Sequence, residues 1–185
     1  VDFSDDEKKL LKSYSFLTIK PIIYLANIDE EELGKEDNEY VKLVKNYAEK
    51  ENAKVVSLCA KIEEDLSELD KDDKQEMLEA LGLDHSGLDG LIKATYDILG
   101  LATYFTVGKD EVRAWTFRKG MNAKECAGII HTDFEKGFIR AEVISYNDLI
   151  ECGSELKAKE AGKARLEGKE YLMQDGDICH FRFNV

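Results

Sequence analysis

Lys20-Pro21-Ile22-Ile23-Tyr24-Leu25-Ala26-Asn27-Ile28-Asp29-Glu30 is the stretch that decides the fold. Its near-continuous apolar run predicts a strand buried on both faces, with Pro21 at the first residue, where a missing N–H is tolerated. Downstream, Val41, Val44, Tyr47 and Ala48 recur at helical spacing and predict a helix over about 37–51. Lys54 to Leu58 reads as a second, β-branched strand. Strand, helix, strand in this order is a parallel βαβ unit, so both strands send their following loops to one sheet edge.

Around that unit the chain is acidic. Its 185 residues carry 39 acidic and 26 basic side chains, a formal charge of −13. Residues 1–90 hold 12 Lys, no Arg and 24 acids, a net of −12, whereas residues 91–185 net −1. This shift near residue 90 marks a domain boundary and argues against non-specific nucleic-acid binding by the whole chain. Only the second half, with Arg113, Arg118, Arg140, Arg165 and Arg182, suits a polyanionic partner. An apolar fraction of 43% argues for folded structure. No run approaches the ~18 apolar residues of a membrane span. The opening Val1-Asp2-Phe3-Ser4 reads as a piece cut from something longer, and a truncated sheet would leave apolar surface and self-associate.

Ser4 to Glu7 has the form of a capping box, opening a helix to about residue 14. Glu63 to Gly82 reads as one acidic helix, and Ser86-Gly87-Leu88-Asp89 opens another, ending at Gly100. From 101 the period changes to strands over 101–107 and 111–117, with Gly108-Lys109-Asp110 as hairpin loop. A helix over about 122–134, a strand over 138–145, an irregular crossover and a last strand over 178–185 follow. Two strands, helix, strand, crossover, strand is the order of a ubiquitin-like β-grasp. The fold class is therefore α/β in the first half and α+β in the second.

Asn27-Ile28-Asp29-Glu30 sits where open α/β sheets bind ligands, at a strand's carboxyl end. Guanine-binding P-loop proteins carry Asn-Lys-x-Asp there, the carboxylate accepting guanine's N1–H and amino group. Glu30 is longer by a methylene and Ile28 replaces Lys, while an Asn amide can pair with adenine's N6 donor and N7 acceptor. The motif favours adenine, the alternative being an acidic loop that caps the next helix. Ser57-Leu58-Cys59-Ala60-Lys61 ends the second strand and would face the same edge. No G-x-x-x-x-G-K-[ST] phosphate cradle occurs, so phosphoryl transfer by this chain alone is not expected, and neither a catalytic residue nor a metal ligand is assigned.

Other chemistry is weaker. Cysteines 59, 126, 152 and 179 form no C-x-x-C pair and read as reduced cytoplasmic thiols. A thiol hydrolase using Cys126 or Cys179, for instance with His180, needs a low-pKa thiolate beside a histidine. Histidines 85, 131 and 180 lack metal-ligand spacing, and His131 reads as a packing or helix-end residue. Asp175-Gly176-Asp177 reads as a hairpin turn rather than a calcium loop.

Longer motifs carry a resemblance: Phe16-Leu17-Thr18-Ile19-Lys20-Pro21, Asn27-Ile28-Asp29-Glu30, Gly87-Leu88-Asp89-Gly90-Leu91-Ile92 and Glu111-Val112-Arg113-Ala114-Trp115-Thr116. Further on are Ala127-Gly128-Ile129-Ile130-His131-Thr132-Asp133-Phe134-Glu135, Gly137 to Val143, and the ending Phe181-Arg182-Phe183-Asn184-Val185. Across essentially its whole length the chain resembles the Obg-like ATPases of the YchF type. The resemblance implies the end of an inserted helical hairpin in 1–14, the C-terminal portion of a P-loop NTPase domain in 15–85, and a TGS domain, a β-grasp, in 86–185. It implies that Asn27 and Ile28 contact adenine, Ile28 through its backbone, that Glu30 ends an altered specificity motif, and that Cys59 and Ala60 line the base from the other side. It also implies a cytoplasmic, ribosome-associated parent that prefers ATP to GTP and uses Mg²⁺, with no membrane and no DNA specificity. Walker A, the switch segments and the Mg²⁺ ligands of that family have no counterpart in these residues. The alternative is a stand-alone TGS-type module that binds RNA or protein without nucleotide function.

Overall fold

The computed structural model describes residues 3–108 and 111–184, so the expected loop residues Lys109 and Asp110 lie outside the described residues. The chain divides into two compact units, 1–99 and 100–185. The composition of the sequence shifts near residue 90 and the family resemblance divides the chain at 85/86, whereas the compact units divide at 99/100, with the helix Gly87–Ile98 in the first.

In the first unit, α1 (Asp5–Lys12) starts at the Ser4–Glu7 capping box, as expected. Leu17–Ile19 form a 3₁₀ turn, and β1 (Ile23–Asn27) begins after Pro21. Then come α2 (Glu39–Lys50), capped by Asn38, and β2 (Lys54–Leu58). β1 and β2 pair in parallel, Ile23 opposite Lys54 and Asn27 opposite Leu58. One expectation fails here: β1 is not buried on both faces. The described sheet has two strands, and Leu25 remains 49% exposed.

The single acidic helix expected after β2 is two helices, α3 (Ala60–Glu68) and α4 (Lys71–Ala80). Asp70 breaks the run because its carboxylate accepts from the N–H groups of Asp72 and Asp73, which makes it a cap rather than a helix interior residue. Cys59, Ile62, Leu66 and Leu78 form the core beneath these helices. α5 (Gly87–Ile98) keeps the predicted Ser86–Asp89 capping box and packs on β2. Glu63 reinforces that start, accepting from Gly87 N–H at 2.7 Å and Leu88 N–H at 3.2 Å. The approach is close: a Cβ on Gly87 would lie 2.3 Å from Leu58 Cβ.

The second unit holds β3 (Leu101–Val107), β4 (Val112–Arg118), α6 (Ala123–Ile130), α7 (Thr132–Lys136), β5 (Phe138–Ser145), α8 (Tyr146–Cys152), α9 (Glu155–Glu160), β6 (Arg165–Glu167) and β7 (Asp177–Phe183). Its sheet order is β4-β3-β7-β5-β6, with β7 parallel to β3 and antiparallel to β5. That is the β-grasp order. His131 splits the expected single helix, its Nδ1 accepting from Asp133 N–H at 3.2 Å as the cap of α7. Tyr104 is fully buried in the core with Phe117, Cys126, Val143 and Cys179, and its hydroxyl donates to the Cys126 carbonyl at 2.8 Å. That bond satisfies a phenol that burial would otherwise strand. Asp175 and Asp177 serve the turn before β7: Asp175 accepts from Thr103 N–H, and Asp177 accepts from Gln174 N–H and the Tyr171 hydroxyl.

The thiol chemistry does not survive this packing. Burial pushes the Cys126 thiol up to about 12 and raises that of Cys179 as well. His180 Nε2 lies 3.1 Å from Glu155 Oε2, which commits it to a carboxylate. Of the four thiols only Cys152 is not buried. Iodoacetamide labelling followed by mass spectrometry should therefore modify Cys152 first, and early modification of Cys126 or Cys179 would contradict this packing.

A second prediction separates two glycines of the β-grasp. A Cβ on Gly137 would meet the Asn184 backbone oxygen at 1.9 Å, whereas one on Gly128 would meet the movable Glu135 side chain at 2.7 Å. Gly137→Ala should cost about 1–3 kcal/mol by overpacking. Gly128→Ala should change stability by less than about 1 kcal/mol, because the better helix propensity of alanine offsets the shift of Glu135. Denaturation followed by Trp115, the single tryptophan, reads this unit directly.

Candidate functional site

The parallel register of β1 and β2 sets two segments side by side, the loop from Ile28 to Glu32 after β1 and Cys59 with the first turn of α3 after β2. Ile28 N–H donates to the Leu58 carbonyl at 2.9 Å, extending the ladder one residue past β1. Asn27 Oδ1 then accepts from Ala60 N–H at 2.9 Å, tying the first loop to the start of α3. α3 has no other side-chain cap, so Asn27 supplies from a neighbouring strand what Cys59 does not.

The acidic loop is itself fixed. Glu30–Glu32 turn as a 3₁₀ segment, with Glu32 N–H donating to the Asp29 carbonyl at 3.0 Å. The Glu32 carboxylate accepts from Asn38 Nδ2 at 2.8 Å, and Asn38 caps α2 by accepting from Val41 N–H at 2.8 Å. Asn38 thus caps α2, while the tetrapeptide heads its own 3₁₀ turn, as its alternative reading expects: Asp29 opens Glu30–Glu32 in a capping box, its N–H donating to Glu32 Oε2 at 3.4 Å. Across the gap, Lys61 Nζ lies 3.2 Å from Glu30 Oε1 and 3.0 Å from Oε2. The hydrogen bond and charge of Glu30 raise the pKa of that ammonium.

A hollow of about 530 Å³ lies between the loops, bounded by Asn27, Ile28 and residues 29–32 on one side and by Cys59 and Lys61 on the other. Four of the five residues expected from sequence, Asn27, Ile28, Glu30 and Cys59, border it. Ala60 does not; its N–H is spent on Asn27. Lys61 does border it; the sequence places it in the Ser57-to-Lys61 stretch but gives it no role of its own. The available signal was its position on the same sheet edge as Glu30.

This geometry limits what the site can read. Asn27 Oδ1 spends one of its two lone pairs on Ala60 N–H, which fixes the orientation of the amide and leaves the second lone pair and the Nδ2 donor for a ligand. Four consecutive acids, Asp29 to Glu32, make the rim unfavourable for a polyanion such as a triphosphate. Among the described residues there is no group of three or more His, Cys, Asp or Glu side chains that could hold a metal ion. Nor is any described helix long and apolar enough to cross a membrane.

Comparison with known proteins adds the family. A family model described as "YchF-GTPase_C: Protein of unknown function (DUF933)" matches residues 101–184. The "Ribosome-binding ATPase YchF" of Bacillus subtilis (strain 168) is 59% identical over 186 residues, a match that covers 100% of this chain and 51% of that protein. The protein of that name from Escherichia coli O157:H7 is 50% identical over 185 residues, covering 100% and 50%. Among solved structures, the Schizosaccharomyces pombe YchF GTPase superposes with a TM-score of 0.81 at 37% identity, covering 98% of this chain and 48% of that one. A GTP binding protein from Pyrococcus horikoshii OT3 shares the fold, with a TM-score of 0.61 at 20% identity and coverage of 89% and 46%. The chain spans about half the length of the curated relatives it matches. Residues 101–184 therefore belong to the YchF-GTPase_C family, and the chain as a whole corresponds to the C-terminal half of YchF-type proteins.

Proposed function

We propose that this chain supplies the base-reading rim and a docking domain of a YchF-type, ribosome-associated ATPase that prefers ATP to GTP. The observation that carries the reading is the Asn27–Ala60 bond, which clamps two loops around a hollow at the carboxyl edge of a parallel strand pair. Guanine offers an acceptor, O6, where adenine offers the N6 donor. A free backbone N–H at Ala60 would serve guanine, and here that N–H is committed to Asn27 Oδ1. The remaining Asn27 amide donor suits N7, which both purines carry, so Asn27 holds the ring while its neighbours choose it. Glu30 and Ile28, in place of the guanine-reading Asp and Lys, complete the preference.

In this reading the phosphates and Mg²⁺ are bound by residues outside this chain, a division that the acidic rim supports. Residues 86–185 are the TGS domain in this reading, the β-grasp being its core. The name that the relatives carry, ribosome-binding ATPase, supports a ribosomal partner, and the cytoplasm is the compartment this implies. The arginines support a docking role for this unit: Arg140 and Arg182 face each other across β5 and β7, a like-charge pair that an RNA phosphate would relieve.

The test uses the polypeptide that carries this chain. Glu30→Asp combined with Ile28→Lys should move the ratio of ATP to GTP dissociation constants toward GTP by about ten-fold or more, since one polar interaction at a purine edge is worth that much. An unchanged ratio in a folded variant would count against the reading.

A further inference from the structure

Glu30 alone does not explain why a carboxylate at this edge fails to read guanine. Guanine presents two adjacent donors, N1–H and the 2-amino group, to the two oxygens of one carboxylate, and a methylene of extra reach does not abolish that fork. The structure shows what occupies it. Lys61 Nζ is nearly equidistant from both oxygens, at 3.2 and 3.0 Å, and so sits in the mouth of the fork where guanine's donors would enter. Glu30 comes from the loop after β1 and Lys61 from the first turn of α3, so the pair closes the hollow from opposite sides. Among the described residues that border the hollow, Lys61 is the one cation.

We propose that Lys61 is a specificity-determining residue, whose ammonium masks the Glu30 carboxylate and makes the rim blind to guanine's paired donors. The inference rests on the nucleotide reading above and deepens it. Lys61 acts through Glu30, as a positioning residue, and has two effects of opposite sign. It withholds an acceptor from guanine, and it neutralises a charge that would otherwise face the lone pair of adenine N1. Both oxygens are engaged, so the mask is stronger than a single-point contact. The pair is solvent-exposed, with side chains 67% and 48% accessible, so its influence is bounded and falls with salt.

Lys61→Met keeps the aliphatic stem and removes the charge. In the polypeptide carrying this chain, titration with fluorescent ATP and GTP analogues at low salt should show GTP binding tightened and ATP binding weakened, narrowing the ratio by about five-fold. Lys61→Arg should restore the wild-type ratio, and the salt dependence of the preference should be smaller in the Met variant. Weakening of both nucleotides together would overturn the proposal, since it would mean that Lys61 contacts phosphate or merely supports the loop. An unchanged ratio in Lys61→Met would overturn it too, while a wild-type preference for ATP would leave the nucleotide reading intact. Wild-type protein that binds neither analogue would overturn both.

Discussion

The site depends on one registered contact. Because β1 and β2 run parallel with Asn27 opposite Leu58, the next residue of each strand turns outward at the same edge. The Asn27 side chain then reaches Ala60 N–H, a bond between residues 33 apart in sequence. An exposed bond of this kind contributes on the order of 1 kcal/mol or less to folding. Its importance lies in position: it sets the spacing of two loops, spends a backbone donor, and fixes the orientation of the Asn27 amide at the border of the hollow. Shifting the register by one residue would turn Asn27 to the other face and remove the rim altogether.

The acidic composition of the first half takes on meaning at this rim. Asp29, Glu30, Glu31 and Glu32 are not interchangeable solvating charges. Glu32 secures the loop to the cap of α2, Glu30 engages Lys61, and all four border the hollow. Glu63, from the acidic run after β2, is spent on the start of α5. The second unit uses its charges differently, with arginines left on sheet strands and buried Asp177 consumed by a turn.

Much of this was legible in sequence because periodicity and caps are local. Lys54 to Leu58 and Phe138 to Ser145 are strands within their expected bounds, and the boxes at Ser4 and Ser86 start helices as read. The misreadings share a cause. At Asp70 and His131 the apolar stripe runs on past a residue whose side chain captures backbone N–H groups, so a period was seen where a cap interrupts it. β6 leaves no signal in the sequence because three residues, Arg165 to Glu167, are too few to show alternation. The burial of β1 was overestimated because apolar content says that a surface is to be covered, not that residues of the same stretch cover it. Asn27, Ile28, Glu30 and Cys59 were legible from motif spacing, whereas the part played by Lys61 was not. Its partner is 31 residues away, and only the folded register brings the two within 3.0 Å.

The central claim, that the hollow between Ile28–Glu32 and Cys59–Lys61 receives a purine, is tested most directly by a crystal structure of the polypeptide carrying this chain with a non-hydrolysable ATP analogue. The account predicts the adenine ring between the two loops, with Asn27 Nδ2 about 3 Å from N7 and Oδ1 still bonded to Ala60. An adenine ring bound elsewhere, or an Asn27 amide that touches no base, would contradict it.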